Sequence, residues 1–205
     1  MGSTVGHMRR AGVAAAAAVA MTMTMVTPAS AATDTVQIKN FRFDPVAVAG
    51  VAGDSVTWQK PADTFHNVAS STGMFRSGDP NFGALTFTRT FSAGTYSYLC
   101  EVHADEGMRG TVRNRPRVTA SPSGLPFTVR WATSATNTGT SFVVHYRINS
   151  GDWRVWRRGT TTFAGIFGAN DTPVRVVAGR TYRFRVRSIL SGNTSGFSPL
   201  STFTP

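Results

Sequence analysis

The sequence predicts an all-β chain folded as two β-sandwiches in series. Short runs rich in Val, Thr, Phe and Tyr alternate apolar with polar residues, the period of a half-buried strand, and no long stretch of the 205 residues has helical periodicity. The 20 Gly and 10 Pro interrupt those runs as turn residues do. Charge is also divided by position. Residues 33–116 hold eight basic and eight acidic side chains, whereas residues 117–205 hold eleven Arg against Asp152 and Asp171. Such a change in composition implies two units, and a hydrophobic content of 41% is enough to give each a core.

The chain starts with what reads as an export signal, residues 1–32. Arg9-Arg10 is followed by an uncharged Ala-rich run, and Pro28-Ala29-Ser30-Ala31-Ala32 supplies the small residues of a cleavage site. That run falls short of the ~20 residues needed to span a bilayer, so a secreted mature chain with no transmembrane span is expected. No cysteine follows the signal to take a lipid anchor. The general and the twin-arginine export routes both remain open.

The first unit is expected over residues 33–114. Val36, Ile38, Phe41 and Phe43 mark a strand that stops at Asp44-Pro45; residues 46–51 give another, Gly53-Asp54 a turn, and residues 55–59 a third strand that ends before Pro61. His66 then falls in a loop, with Asn67 as a turn residue. Residues 70–82 form a long loop whose Met74 and Phe75 are core plugs. A strand over residues 85–91 and the turn Ser92-Ala93-Gly94 lead to residues 95–100, where Tyr96, Tyr98 and Cys100 share one parity and face inward. Gly110 to Arg113 closes the sheet.

Residues 115–124, with Pro116 and Ser121-Pro122-Ser123-Gly124, read as a linker and the start of the second unit, which occupies residues 125–205. Strands are expected at residues 127–131, 141–149, 153–157, 172–177, 181–188 and 195–199. Arg183, Arg185 and Arg187 share one strand face, with Phe184 and Val186 on the other, and Arg154, Arg157 and Arg158 could extend a basic patch. A solvated face that uses Arg for solubility is the alternative.

Chemistry concentrates in Cys100-Glu101-Val102-His103-Ala104-Asp105-Glu106-Gly107-Met108. The single cysteine, a histidine three residues on and a methionine five beyond that offer a thiolate, an imidazole and a thioether, a soft donor set suited to copper. A trigonal His₂Cys site with a weak axial Met needs one more histidine. His66 supplies it, since His7 lies in the N-terminal segment and His145 in the second unit. With one cysteine no disulfide can form within the chain, although an intermolecular one could.

With an upstream His-Asn pair, a C-x₂-H-x₄-M loop and the N-F-x-F-D-P and G-D-S-V-T-W stretches, residues 34–114 resemble the cupredoxin family, the plastocyanin and amicyanin type in particular. The resemblance implies a Greek-key sandwich holding one type 1 copper per chain. Cys100, His66 and His103 would be its strong ligands, Met108 the weak axial one and Asn67 a support that ties the ligand loops together. The second unit resembles a fibronectin type III domain, on the early Trp131, on Tyr182 after Ala178-Gly179-Arg180 and on S-G-F-S-P-L-S near the end.

These readings imply a secreted one-electron carrier with a redox partner protein, extracellular, with association to the cell wall expected through an anionic polymer held by the Arg-rich second unit. Copper transport or sequestration would use the same ligands, and a wall-associated binding module with a metal-stabilised domain is a further alternative. Zinc suits His and Cys donors too. An enzyme is not expected, because a trinuclear copper cluster needs more histidines than the four present. Export makes nucleic acid an unfavourable partner. Nineteen Arg against two Lys point to a bacterial source of high GC content.

Overall fold

The computed structural model describes residues 1–2, 31–123, 125–136, 138–169, 172 and 174–205. The expected export signal, from residue 3 to residue 30, lies outside the described residues. Among the described residues there is no helix, and so none long and apolar enough to cross a membrane.

Eight strands form the first sandwich: β1 (Thr33–Lys39), β2 (Arg42–Asp44), β3 (Ala47–Val51), β4 (Ser55–Lys60), β5 (Ala69–Ser70), β6 (Leu85–Thr90), β7 (Gly94–Leu99) and β8 (Arg109–Arg115). One sheet runs β2-β1-β4-β6 and the other β3-β8-β7-β5, with β1 parallel to β4 and β3 parallel to β8. Alternation sets what each strand buries: Val36 and Ile38 on β1, Val56 and Trp58 on β4, Tyr96 and Tyr98 on β7, Val112 on β8. Trp58 is the hub, with the rings of Phe75, Phe87, Phe91 and Tyr98 at 5.2–6.0 Å. Each fully buried Phe contributes ~2–3 kcal/mol over an exposed one. Met74 and Phe75 are buried in this core, as expected. Gly110 lies on the buried parity of β8 and has no room for a side chain, since a Cβ there would lie 2.4 Å from Tyr98 Cζ.

The second sandwich contains β9 (Arg117–Ala120), β10 (Phe127–Arg130), β11 (Ser141–Ile148), β12 (Arg154–Thr160), β13 (Ala164–Phe167), β14 (Tyr182–Leu190), β15 (Asn193–Thr194) and β16 (Ser201–Phe203). A sheet of order β13-β10-β9 shares a core with a sheet of order β12-β11-β14-β15, and β16 also pairs with β14. Phe127, Val129 and Trp131 meet Phe142, Val144, Tyr182 and Phe184 there.

Two expected strands are corrected. The described residues of 172–177 are irregular; the strand in this region is β13, which lacks an obvious alternation. Pro173 removes a ladder donor, the Thr172 hydroxyl donates to the Ile166 carbonyl at 3.2 Å, and Val176 plugs the core. Residues 195–199 likewise form no strand. There the N–H groups of Ser195 and Ser198 donate to the Ser188 and Val186 carbonyls at 2.9 and 2.7 Å, while their hydroxyls accept the return bonds from the Ser188 and Val186 N–H groups at 2.9 and 3.0 Å, so side chains supply half of what would be a main-chain ladder.

Pro116 alone separates β8 from β9, and the Ser201 hydroxyl donates to its carbonyl. The turn at residues 92–94 is docked on the second sandwich: Ala93 N–H donates to the Trp131 carbonyl at 2.7 Å, and Thr95 and Gly196 exchange main-chain hydrogen bonds of 3.0 and 2.9 Å. The hydroxyls of Ser92, Tyr96 and Ser188 meet in a buried cluster with separations of 2.6–2.9 Å. All these contacts lie at the start of β7. Cys100 follows its other end, roughly 20 Å away at ~3.3 Å per residue.

Candidate metal centre

The inward parity of β7 continues through Tyr96 and Tyr98 to Cys100, which is fully buried. The chain then closes a tight loop on itself. Cys100 N–H donates to the Met108 carbonyl at 3.1 Å, His103 N–H to the Cys100 carbonyl at 3.2 Å, and Met108 N–H to the His103 carbonyl at 3.0 Å. Gly107, at φ +83°, makes the turn that permits this closure. Three of the four expected ligands are therefore fixed by one another's main chain, and the Met108 side chain is fully buried in the same core cluster as Cys100.

His66 arrives from the segment after β4, where it bridges to Asn81, and is buried beside the loop. Its Nδ1 faces His103 Nδ1 at 2.9 Å, and Cys100 Sγ lies 3.6 Å from the first and 3.5 Å from the second. A point about 1.9 Å from all three atoms exists in their plane, close to the ~2.0–2.3 Å of nitrogen and thiolate bonds to a small divalent metal ion. Two ring nitrogens aimed at one another across a thiol leave their lone pairs convergent, which fits a metal better than a hydrogen-bonded core. Burial, then the charges of His103 and Lys60, push the His66 pKa below the usual histidine range. That favours the neutral imidazole a metal requires.

Asn67 joins the two ligand-bearing segments. Its Oδ1 accepts from Glu101 N–H at 3.0 Å, and its Nδ2 donates to Glu101 Oε2 at 2.7 Å and to the Gly78 carbonyl at 2.9 Å. Glu101 is not a bare charge beside the site: Arg76 pairs with it at 2.7 Å and with Asp79 at 2.6 Å. The Arg76 guanidinium, helped by the Asn67 amide and opposed by burial, brings the Glu101 carboxyl below its ordinary range. Asp105 and Glu106 are exposed. His145 lies in the second sandwich, against Phe197 and Arg185, and takes no part in the centre.

Two supporting residues escape a motif-based reading. Lys60 is buried at the end of β4, and its ammonium donates to the carbonyls of Thr64, Asn81 and Gly83, which shape the approach to His66. Burial lowers its pKa, with Asp63 opposing. The parity Val56, Trp58, Lys60 was the available signal. Phe41, at φ +54° in the turn between β1 and β2 rather than on the single strand expected over this region, sets its ring edge-on to His103 at 4.8 Å, a role its place in the strand pattern does not mark.

Residues 30–114 match the family described as copper binding proteins, plastocyanin/azurin family. Plastocyanin of Scenedesmus fuscus is 35% identical over 82 residues, which cover 34% of this chain and 83% of that protein. The chain belongs to the plastocyanin/azurin family of copper-binding proteins. Halocyanin of Natronomonas pharaonis is 38% identical over 77 residues, 35% of this chain and 47% of its own length. Among solved structures, amicyanin from Paracoccus versutus is 29% identical, with a TM-score of 0.32 over 42% of this chain and 83% of amicyanin. Copper is the cofactor of the plastocyanin/azurin family, and the soft donors gathered here fit it.

Proposed function

We propose that this chain is a secreted one-electron carrier with a single type 1 copper, held by His66, Cys100 and His103 and, axially, by Met108. The convergence of the His66, Cys100 and His103 donor atoms within 3.6 Å of one another carries this reading. Bound there, copper supplies a one-electron couple whose two states differ in preferred geometry. The protein's part is to hold one compromise arrangement, through the main-chain closure of the loop and through Asn67, so that little rearranges on electron transfer. His103 is only partly buried, beside exposed Phe41 and Val102, and is the route to a redox partner protein.

The domains are residues 33–114, which bind copper, and residues 125–205, which are of fibronectin type III kind, with residues 115–124 as linker and start of the second. Trp131, fully buried, and the Tyr182 hydroxyl, which accepts from Val177 N–H at 2.8 Å, support that attribution. The second domain attaches the protein to an anionic cell-surface polymer, and residues 1–32 direct export. The chain is not itself an enzyme, since both histidines of the first domain serve the metal.

Protein-film voltammetry of the copper-loaded protein tests the carrier role. The expected result is a reversible one-electron wave with fast exchange and no loss of metal through repeated cycles. Release of copper to a competing chelator on each reduction would instead identify a transport or sequestration protein.

A further inference from the structure

The outer face of the sheet formed by β11, β12 and β14 carries an interleaved stack of arginines and rings. Arg147 lies over Trp153 at 4.8 Å from the guanidinium carbon to the ring centroid, Arg185 sits between Trp153 and Phe197 at 4.2 Å from each, and Arg187 lies over Phe197 at 5.3 Å. Arg183 continues the row, two residues before Arg185 on the same strand face.

Among the described residues no salt bridge involves Arg147, Arg183, Arg185 or Arg187. Arg147 and Arg183 are directly opposite in the β11–β14 register, a destabilising juxtaposition of like charges. The salt bridges among the described residues all lie in the first sandwich. Residues 117–205 contain only Asp152 and Asp171 as acids. The Nε atoms of Arg147, Arg185 and Arg187 are buried without an acceptor among the described residues.

We infer that this face is a binding site for a linear polyanion carrying phosphodiester groups, a cell-surface polyol- or sugar-phosphate chain. The inference rests on the proposal that the second domain attaches to an anionic polymer, and it names the residues and the chemistry. All eleven cations of residues 117–205 are Arg, whose planar fork matches phosphate oxygens two at a time. Stacking occupies the faces of the guanidinium groups and leaves their in-plane edges for such acceptors, apart from Arg183 Nη1, which donates to the Asn149 carbonyl at 2.6 Å, and Arg185 Nη2, which lies 3.4 Å from His145 Nδ1. Alternate residues on a strand stand about 6.6–6.8 Å apart, so Arg183, Arg185 and Arg187 suit successive charges of an extended chain rather than one small anion. Trp153 and Phe197 are engaged by guanidinium groups, which argues against their insertion into a bilayer.

The test measures anisotropy of fluorescein-labelled inorganic polyphosphate, titrated with copper-loaded protein between 50 and 200 mM salt. Four phosphate contacts predict a roughly fifty-fold loss of affinity over that range, from a slope of about −0.7 per contact. Arg185→Gln with Arg187→Gln should weaken binding about tenfold at 50 mM salt and lower the slope by about 1.4. Arg117→Gln with Arg130→Gln removes the same charge from the other sheet and should weaken binding less than about threefold. Arg185→Lys with Arg187→Lys should retain the slope while losing affinity, and thermal midpoints identify any variant that has merely unfolded. Equal losses in the Gln pairs would overturn the site but leave polymer attachment standing. Absence of binding by the unaltered protein would overturn both. Equal affinity for labelled polyglutamate, or tighter binding to vesicles of phosphatidylglycerol and phosphatidylcholine, would overturn the phosphodiester assignment.

Discussion

Asn67→Ala should loosen the junction between the two segments that carry the metal ligands, even without metal. The substitution removes two donated hydrogen bonds and one accepted, and Asn67 is almost fully buried, so water does not simply replace them. It orphans the Glu101 N–H and the Gly78 carbonyl, each costing about 1–3 kcal/mol when left unpaired. The Glu101 carboxylate keeps Arg76. A total near 3 kcal/mol follows, which for a folded unit of this size lowers the thermal midpoint by about 6–12 °C. Differential scanning calorimetry of the metal-free protein measures it, with Arg76→Gln as a comparison. Arg76 makes exposed ion pairs, whose loss costs under about 1 kcal/mol. A midpoint for Asn67→Ala within about 2 °C of the unaltered protein would refute the reasoning, because the loops would then be held together by something else.

Lys60→Met keeps the length of the side chain but leaves the Thr64, Asn81 and Gly83 carbonyls without their shared donor; chemical denaturation should show a loss of about 2–4 kcal/mol, and a neutral result would mean that water serves those carbonyls equally well. Burial raises the Tyr96 pKa above the usual 10.0, against the lowering effect of its bonds to Ser188 and Ser92. Folded Tyr96 therefore keeps its proton when the unfolded chain has lost it, and its contribution to stability, complete below pH 10, falls as pH rises from there toward its folded pKa. Unfolding midpoints above pH 10 should drop more steeply for the unaltered protein than for Tyr96→Phe.

Much of the first sandwich was legible because its strands alternate cleanly: the parity of Tyr96, Tyr98 and Cys100 gave both the core face and the direction of the thiol. The ligand set was legible because donors of distinct chemistry occur in a fixed order. Residues that act through the main chain left no such mark. Lys60 works by donating to carbonyls of a loop, and Phe41 reaches His103 only because a left-handed turn carries it there. In the second sandwich the strand over residues 172–177 failed because Val174 and Val176 read as strand pattern, whereas they follow Pro173 and fill the core from an irregular segment. The apparent last strand failed for another reason: Ser195 and Ser198 each meet β14 with one main-chain N–H and one hydroxyl, and periodicity does not distinguish such mixed pairing from a strand ladder.

The copper assignment is tested most directly by visible absorption and electron paramagnetic resonance of the protein titrated with Cu(II), beside Cys100→Ser. An intense blue thiolate-to-copper band with narrow copper hyperfine splitting, saturating at one copper per chain and absent from the variant, is the predicted result. A colourless protein, or a spectrum that Cys100→Ser leaves unchanged, would contradict a centre built on Cys100, His66, His103 and Met108.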